Sequence, residues 1–438
     1  MNRNYPSSRR GTSRILPEQF DLEGATVLGG LNRLHLFLQH IGLEREVRER
    51  FRGAKAAWAE WRLDQVLRVF LDIAFAGLPR LYHYAELEAE PLLCTLYRVA
   101  RLPDVTTLYR DLRRFKDPAL ARQLGELLQG VVQRAIASQD RVVLDVDSMV
   151  NTLYGNQEGA VLGPNPHKPG RPSYHPLLAR DRMSDLIVHQ VLRSGDSGSA
   201  TDIVSFLHRT LDIVRADGRK REVLARLDSG FEGEDALAVM ERRGVGYVVK
   251  MRGTAGLAHA ASTRAASTWR TLELEHEGEV QVTAFVWRRG SWSRPRVVVA
   301  MRKRELETVQ GHLFDEHGWG YSLFVTDRDW AAEEVARFYD KRADVERTIC
   351  ELRNDLNVDH VPSERFAANA ADFALKVLAR NLLVLYRENG LKLTQRERIM
   401  TLRRRYLWIA GRVVRHAGKV LLRLTGGHAL GERPAFVT

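Results

Sequence analysis

At 438 residues, 44% hydrophobic and 28% charged, the chain is too long for one hydrophobic core and too apolar for an unfolded polyelectrolyte, so two or three globular units are expected. Lysine and arginine number 67 against 55 aspartates and glutamates, a formal charge of +12 that makes a polyanion, and first of all nucleic acid, the candidate partner. The N-terminus has no apolar core of signal-peptide length and no later segment runs apolar for about 18 residues, which predicts neither export nor a membrane span.

Residues 1–20 mix Arg, Ser, Pro and Gly without periodicity, as a basic mobile tail does. From 21 to 138 apolar residues recur at three-to-four spacing, in WRLDQVLRVFLDIAFAG, YAELEAEPLLCTLYRVA and ALARQLGELLQGVVQRAIA, and predict an all-α unit. Within it CTLYRVARLPDVTTLYRDLRRF has the outline of a helix-turn-helix. Thr106 or Asp104 caps the second helix, Leu108, Leu112 and Phe115 face the core, and Tyr109, Arg110, Arg113 and Arg114 form a face that suits phosphate or base edges. An ordinary helical hairpin with solvated arginines fits the same residues. Cys94, here, and the distant Cys350 have no metal-ligand or redox spacing and read as buried reduced thiols, as in a cytosolic protein.

At Arg141 the texture turns to α/β. RVVLDVDSMV, SDLIVHQVLRSG, REVLARLDSGF and VGYVVKMRG read as strands, the last three separated by helices near 201–216 and 233–243. Residues 254–320 alternate in strand fashion (VQVTAFVWRRG, RPRVVVAMRKRE) and look like an inserted β unit. YSLFVTDRDW returns to a buried strand, and AAEEVARFYDKRADVERTICELRNDL predicts one long helix, followed by another around AADFALKVLARNLLVLYREN. Residues 391–438 are basic and read as helical to about Leu424.

Asp145 and Asp147 fall on one side of their strand because side chains alternate with period two. Carboxylates beside apolar neighbours are costly unless paired or metal-bound, although a strand end reaching water explains them as well. Asp228 ends a second apolar strand, where helix capping by Asp228 or Ser229 competes with a catalytic role. Tyr339, Arg342, Glu346 and Arg353 fall within an arc of about 60° on a regular helix, a face suited to a carboxylate metal ligand flanked by phosphate-binding cations, or to a salt-bridged exposed helix. Two strand-borne aspartates followed by a helix-borne glutamate are an all-oxygen donor set that suits two Mg²⁺ ions, with Mn²⁺ as substitute, rather than zinc.

These residues resemble the DDE transposases of bacterial insertion sequences. The branch signature Y-x-x-R-x-x-x-E-x-x-x-x-x-x-K/R is met by Tyr339, Arg342, Glu346 and Arg353, the last an arginine where lysine is usual. LDVDSMVNTLYGNQEGAVLGPNPHKPGRPSYHPLLA and DHVPSERFAANAADFALKVLARNLL resemble the thirteen-eighty group of these elements. The resemblance implies a ribonuclease-H-like catalytic core (139–253 and 321–390) with acids on its first strand, fourth strand and late helix. It also implies an insertion domain at 254–320 and a helical DNA-end-binding unit at 21–138. It assigns Asp147, Asp228 and Glu346 to catalysis and metal binding, with Asp145 as the alternative first acid. Tyr339, Arg342, Arg353, Arg110, Arg113 and Arg114 are assigned to DNA. Trp287, Trp292 and Trp319 are aromatic candidates for holding a flipped base. The implied activity is cut-and-paste transposition by a homodimer on double-stranded DNA, acting on terminal inverted repeats and target, in the bacterial cytoplasm near the nucleoid. A hydrolytic nuclease of the same fold and a DNA-binding derivative without chemistry are the alternatives.

Overall fold

The helical unit forms where expected, from α1 (Leu31–His40) and α2 (Leu43–Phe51) through α3 (Leu63–Ala76), α4 (Pro91–Tyr97), α5 (Val105–Leu112) and α6 (Pro118–Ile136). The computed structural model describes residues 18–431 apart from 20, 167, 199, 274–278 and 305–318, so the expected basic tail lies outside the described residues except for Glu18 and Gln19. The two helices of the CTLYRVARLPDVTTLYRDLRRF segment form, as α4 and α5. Asp104 caps α5 by accepting from the Thr107 N–H at 3.0 Å, and Leu108, Leu112 and Phe115 are buried.

From residue 141 the order is β2 (Arg141–Ser148), β3 (Asn151–Thr152), β4 (Ser173–Tyr174), β5 (Leu177–Asp181), β6 (Ile187–Val191), α7 (Ile203–Val214), β7 (Glu222–Leu227), α8 (Glu234–Arg242) and β8 (Gly246–Lys250); a two-residue β1 (Ala25–Thr26) precedes α1. Then come α9 (Ala255–Ser262), β9 (Arg270–Thr271), β10 (Val280–Trp287), β11 (Arg296–Arg304), β12 (Trp319–Thr326), α10 (Ala332–Asp340), α11 (Ala343–Cys350), α12 (Phe366–Leu385), α13 (Ile399–Leu402), β13 (Gly411–His416) and β14 (Lys419–Leu424). Among the described residues the main sheet has nine strands in the order β6-β5-β2-β7-β8-β12-β11-β10-β9. β2, β7 and β8 run parallel at its centre and the rest pair antiparallel. Counted within this sheet, Asp147 is the penultimate residue of the first strand and Asp228 directly follows the fourth. β5 adds to the expected strands: all five of its residues are buried, so no alternation marks it.

Three expectations are corrected. The β unit at 254–320 does not stand apart: β12, the expected return strand, pairs with β8, and β11, β10 and β9 follow it, so these strands continue the main sheet across what would otherwise be an open edge. The long helix is broken at Lys341–Arg342, where the Arg342 side chain turns inward to the end of β2, and a π-helical turn at Glu351–Asp355 follows α11. The C-terminal region is not helical to Leu424. After α13 it forms the β13–β14 hairpin, turned at Ala417 and Gly418 with φ of 50° and 75°, and β13 pairs with β1. Val413, Val414, Val420 and Leu422 supply strand propensity that the density of arginine obscures. Of the cysteines Cys94 is buried, but Cys350 is exposed.

α12 is the spine of the molecule, buried nearly all round between α3, α6 and the sheet. Its charged residues Asp372, Lys376 and Arg380 are ion-paired, and among the described residues no helix is long and apolar enough to cross a membrane. Arg380 on α12 binds Glu351 at 3.0 Å and Asp185 at 3.1 Å, which ties the end of α11 to the β5–β6 turn.

Candidate active site

Parallel pairing of β2 with β7 sets Val146 opposite Leu227, so the next residues, Asp147 and Asp228, leave two adjacent strand tips on the same edge. β8 is the next parallel strand, and its tip carries Lys250. The carboxyl ends of neighbouring parallel strands are where α/β sheets place ligands. A cleft of about 390 Å³ opens there, lined by Asp228, Lys250, Tyr339, Arg342 and Glu346 among others.

Each acid has a different setting. Asp147 is largely buried, accepts from the Ser148 N–H at 2.9 Å and pairs with Arg342 at 3.0 Å. Burial raises its pKa to about 6, with Asp228 adding to the rise and Arg342 opposing it. Asp228 accepts from the Gly230 N–H at 2.7 Å, so the capping role does exist, alongside its place in the cleft. Glu346 is exposed on α11 and lines the same cleft. Among the described residues no three acidic, histidine or cysteine side chains converge closely enough to hold a metal ion, so the acids stand as an adjacent pair with the third on the cleft wall.

Asp145 belongs to the scaffold. It is fully buried, bound by Arg226 at 2.6 and 2.9 Å and by Arg180 at 3.3 Å, both from strands that flank β2. Arg226 also donates to the Phe338 carbonyl at 2.8 Å, which fixes the end of α10 beside Tyr339.

Tyr339 packs on Phe324, ring centroids 4.6 Å apart, and burial pushes its hydroxyl up to about 12, so it stays protonated. Burial acts to lower the Arg342 pKa, but Asp147, Tyr339 and Asp228 outweigh it and the pKa rises. Arg342 also donates to the Val146 carbonyl at 3.2 Å. Arg353 sits in the π turn and donates to the Val150 carbonyl at 2.8 Å, holding the chain where it leaves β2. Arg110 and Arg113 are exposed on and just after α5, away from the cleft lining, while Arg114 is held by Asp111 at 2.8 Å.

Of the tryptophans, Trp292 is core, Trp287 half-buried, and Trp319 lies under Arg302, whose guanidinium is 4.4 Å from the ring centre. Lys250 is the cleft residue that reading the sequence missed. Its signal was the one that marks the aspartates, a charge directly at the end of a buried strand.

The donor chemistry suits a hard divalent cation. Asp228 stands close enough to Asp147 to raise its proton affinity, every donor is oxygen, and the partial neutralisation of Asp147 comes from an arginine that is itself long enough to move.

The family described as "Transposase DDE domain group 1" matches residues 13–434. No curated protein matches. Among solved structures the chain is similar to the piggyBac transposase in a cryo-EM synaptic complex with hairpin DNA, at 11% identity and TM-score 0.46, over 87% of this chain and 81% of that one.

Proposed function

This chain belongs to the transposase DDE domain group 1 family, and on that premise we propose that it cleaves DNA at the ends of a bacterial insertion sequence of the thirteen-eighty group and joins the freed 3′-hydroxyl to target DNA. The observation that carries the reading is the adjacency of Asp147 and Asp228 at parallel strand tips, with Asp228 and Glu346 both lining the cleft at that edge.

Asp147, Asp228 and Glu346 would hold two Mg²⁺ ions, with Mn²⁺ as substitute, which supply positive charge to the attacking and leaving oxygens of a phosphodiester. The residues of the chain do the rest. Lys250 and Arg342 present cations to the backbone phosphates that flank the scissile bond, and Tyr339, protonated throughout the physiological range, donates a hydrogen bond there rather than acting as a nucleophile. Arg353 acts behind the site by pinning residue 150. Arg110 and Arg113 lie on the surface of the helical unit that we assign to binding the terminal inverted repeats, and both ends are processed by a homodimer.

Glu346→Gln keeps the shape of the cleft wall and removes its charge. Cleavage of a plasmid carrying the element's inverted repeats should fall on the order of 10²-fold or more while binding of those repeats persists. Full Mg²⁺-dependent cutting by Glu346→Gln would contradict the assignment. Products joined through a 3′-end separate a transposase from a hydrolytic nuclease.

A further inference from the structure

We infer that a second groove, beside the acid cleft, holds unpaired bases of the DNA by stacking them on Tyr82 and Tyr154; the inference rests on the DNA-processing function proposed above. The groove encloses about 490 Å³ between the helical unit, which contributes Arg80, Tyr82 and Tyr109, and the segment leaving β2, which contributes Thr152, Tyr154 and Gln157.

Two of its three tyrosines are displayed as few large side chains are. Tyr82 is 54% exposed and Tyr154 67% exposed, and exposed aromatic rings clustered on one groove mark an interaction surface. The rings are accompanied by cations. Lys168 Nζ lies 5.0 Å and the Arg171 guanidinium carbon 5.7 Å from the centre of the Tyr154 ring, and Arg80 and His360 line the groove itself. Asp359 is the acid on this lining. Flat rings that any base can stack on, combined with cations for the backbone, make a platform for single-stranded nucleic acid, whereas a duplex offers no free base faces. The Gln157 side-chain oxygen is buried in the wall without a hydrogen-bond partner, an acceptor suited to the exocyclic amine of a base.

The groove is tied to the catalytic edge. Thr152 follows Asp147 by a stretch of chain that spans at most about 18 Å when extended, or roughly five base steps of DNA. Arg353 holds Val150, and Asn151 donates to the Val358 carbonyl at 3.1 Å, so the link is braced. Tyr109 on α5 continues the groove toward Arg110. Strand cutting at the acids and displacement of unpaired bases into a site a few nucleotides away are thus compatible on one bound DNA.

The test uses the full chain in EDTA, which keeps binding separate from cutting, and follows the fluorescence anisotropy of a labelled mixed-sequence 12-nucleotide single strand and of the corresponding 12-base-pair duplex. Tyr82→Ala/Tyr154→Ala should weaken single-strand binding about tenfold or more and leave duplex binding within about threefold. Tyr82→Phe/Tyr154→Phe gives up the hydrogen bond from Lys168 Nζ to the Tyr154 hydroxyl but should still bind within about threefold of the parent, because a ring without its hydroxyl still stacks. Both tyrosines are exposed, and thermal melting of each variant verifies folding. Single-strand binding that is indifferent to the alanine pair, or a phenylalanine pair as weak as the alanine pair, would overturn the inference. Failure of the parent reading looks different: no cutting of repeat-bearing DNA with Mg²⁺ while tyrosine-dependent single-strand binding persists.

Discussion

Asp145 and Asp147 lie two residues apart on one strand face, yet they sit in different settings, and the difference comes from what their neighbours present. Asp145 meets two buried arginines from β5 and β7, while Asp147 emerges where β7 ends and meets Asp228 and Arg342. The sequence shows both acids and their shared side. It could not separate them, because the partners Arg180 and Arg226 are brought in only by the pairing register. Asp145→Asn leaves Arg226 buried without its counter-charge and should cost about 3–5 kcal/mol in urea unfolding. Asp147→Asn should cost little stability and abolish cleavage; the reverse pattern would make Asp145 the catalytic acid. Asp147 also carries a pH dependence. The folded pKa of Asp147, about 6, lies above that of an ordinary carboxyl near 4, so protonation favours the metal-free fold. This contribution, on the order of 2–3 kcal/mol, is complete below about pH 4 and is lost as pH rises through about 6. In EDTA, parent stability relative to Asp147→Asn should therefore decline over that window. A difference that stays flat with pH would show that the carboxyl is not perturbed.

At the scale of elements, periodicity located the helices of the N-terminal unit and the central strands, because each buries one stripe or face against a common core. It failed where tertiary contacts override local preference. The predicted long helix breaks because Arg342 bonds to the end of β2, and the face shared by Tyr339, Arg342, Glu346 and Arg353 is divided: the first three line the cleft and Arg353 braces the chain behind it. The C-terminal hairpin was hidden by its arginines, although its Val and Leu residues were in view. α5 keeps both its expected cap and its buried leucines, so the exposed Arg110 and Arg113 give the proposed role in DNA binding a direct test. Arg110→Ala/Arg113→Ala should weaken duplex binding and reduce the slope of log affinity against log salt by nearly 2 if each arginine neutralises one phosphate. An unchanged slope would return these helices to the status of an ordinary hairpin.

Over the whole molecule one sheet joins parts that composition and rhythm assign to separate units. The strands at 254–320 extend it, α12 packs it against the helical unit, and β1 pairs with β13, so the two ends of the described chain close on each other. Gly30 lies so near Tyr406 and Leu407 that a Cβ there would stand 1.9 Å from the Tyr406 carbonyl oxygen. Arg403, fully buried, donates to the carbonyls of Ala74, Phe75 and Asp355. Such long-range closure has no sequence periodicity, which is why acids on strand tips were legible and the continuity of the sheet was not. This closure fixes the cleft between three strand tips and α11, with Arg342 as the present partner of Asp147. The most direct measurement is a crystal structure of the full chain with Mn²⁺, read by anomalous scattering at the manganese edge. The account predicts manganese between the Asp147 and Asp228 carboxylates, with Glu346 drawn in as a ligand and Arg342 displaced from Asp147. Manganese bound elsewhere, with the Arg342–Asp147 pair intact, would contradict it.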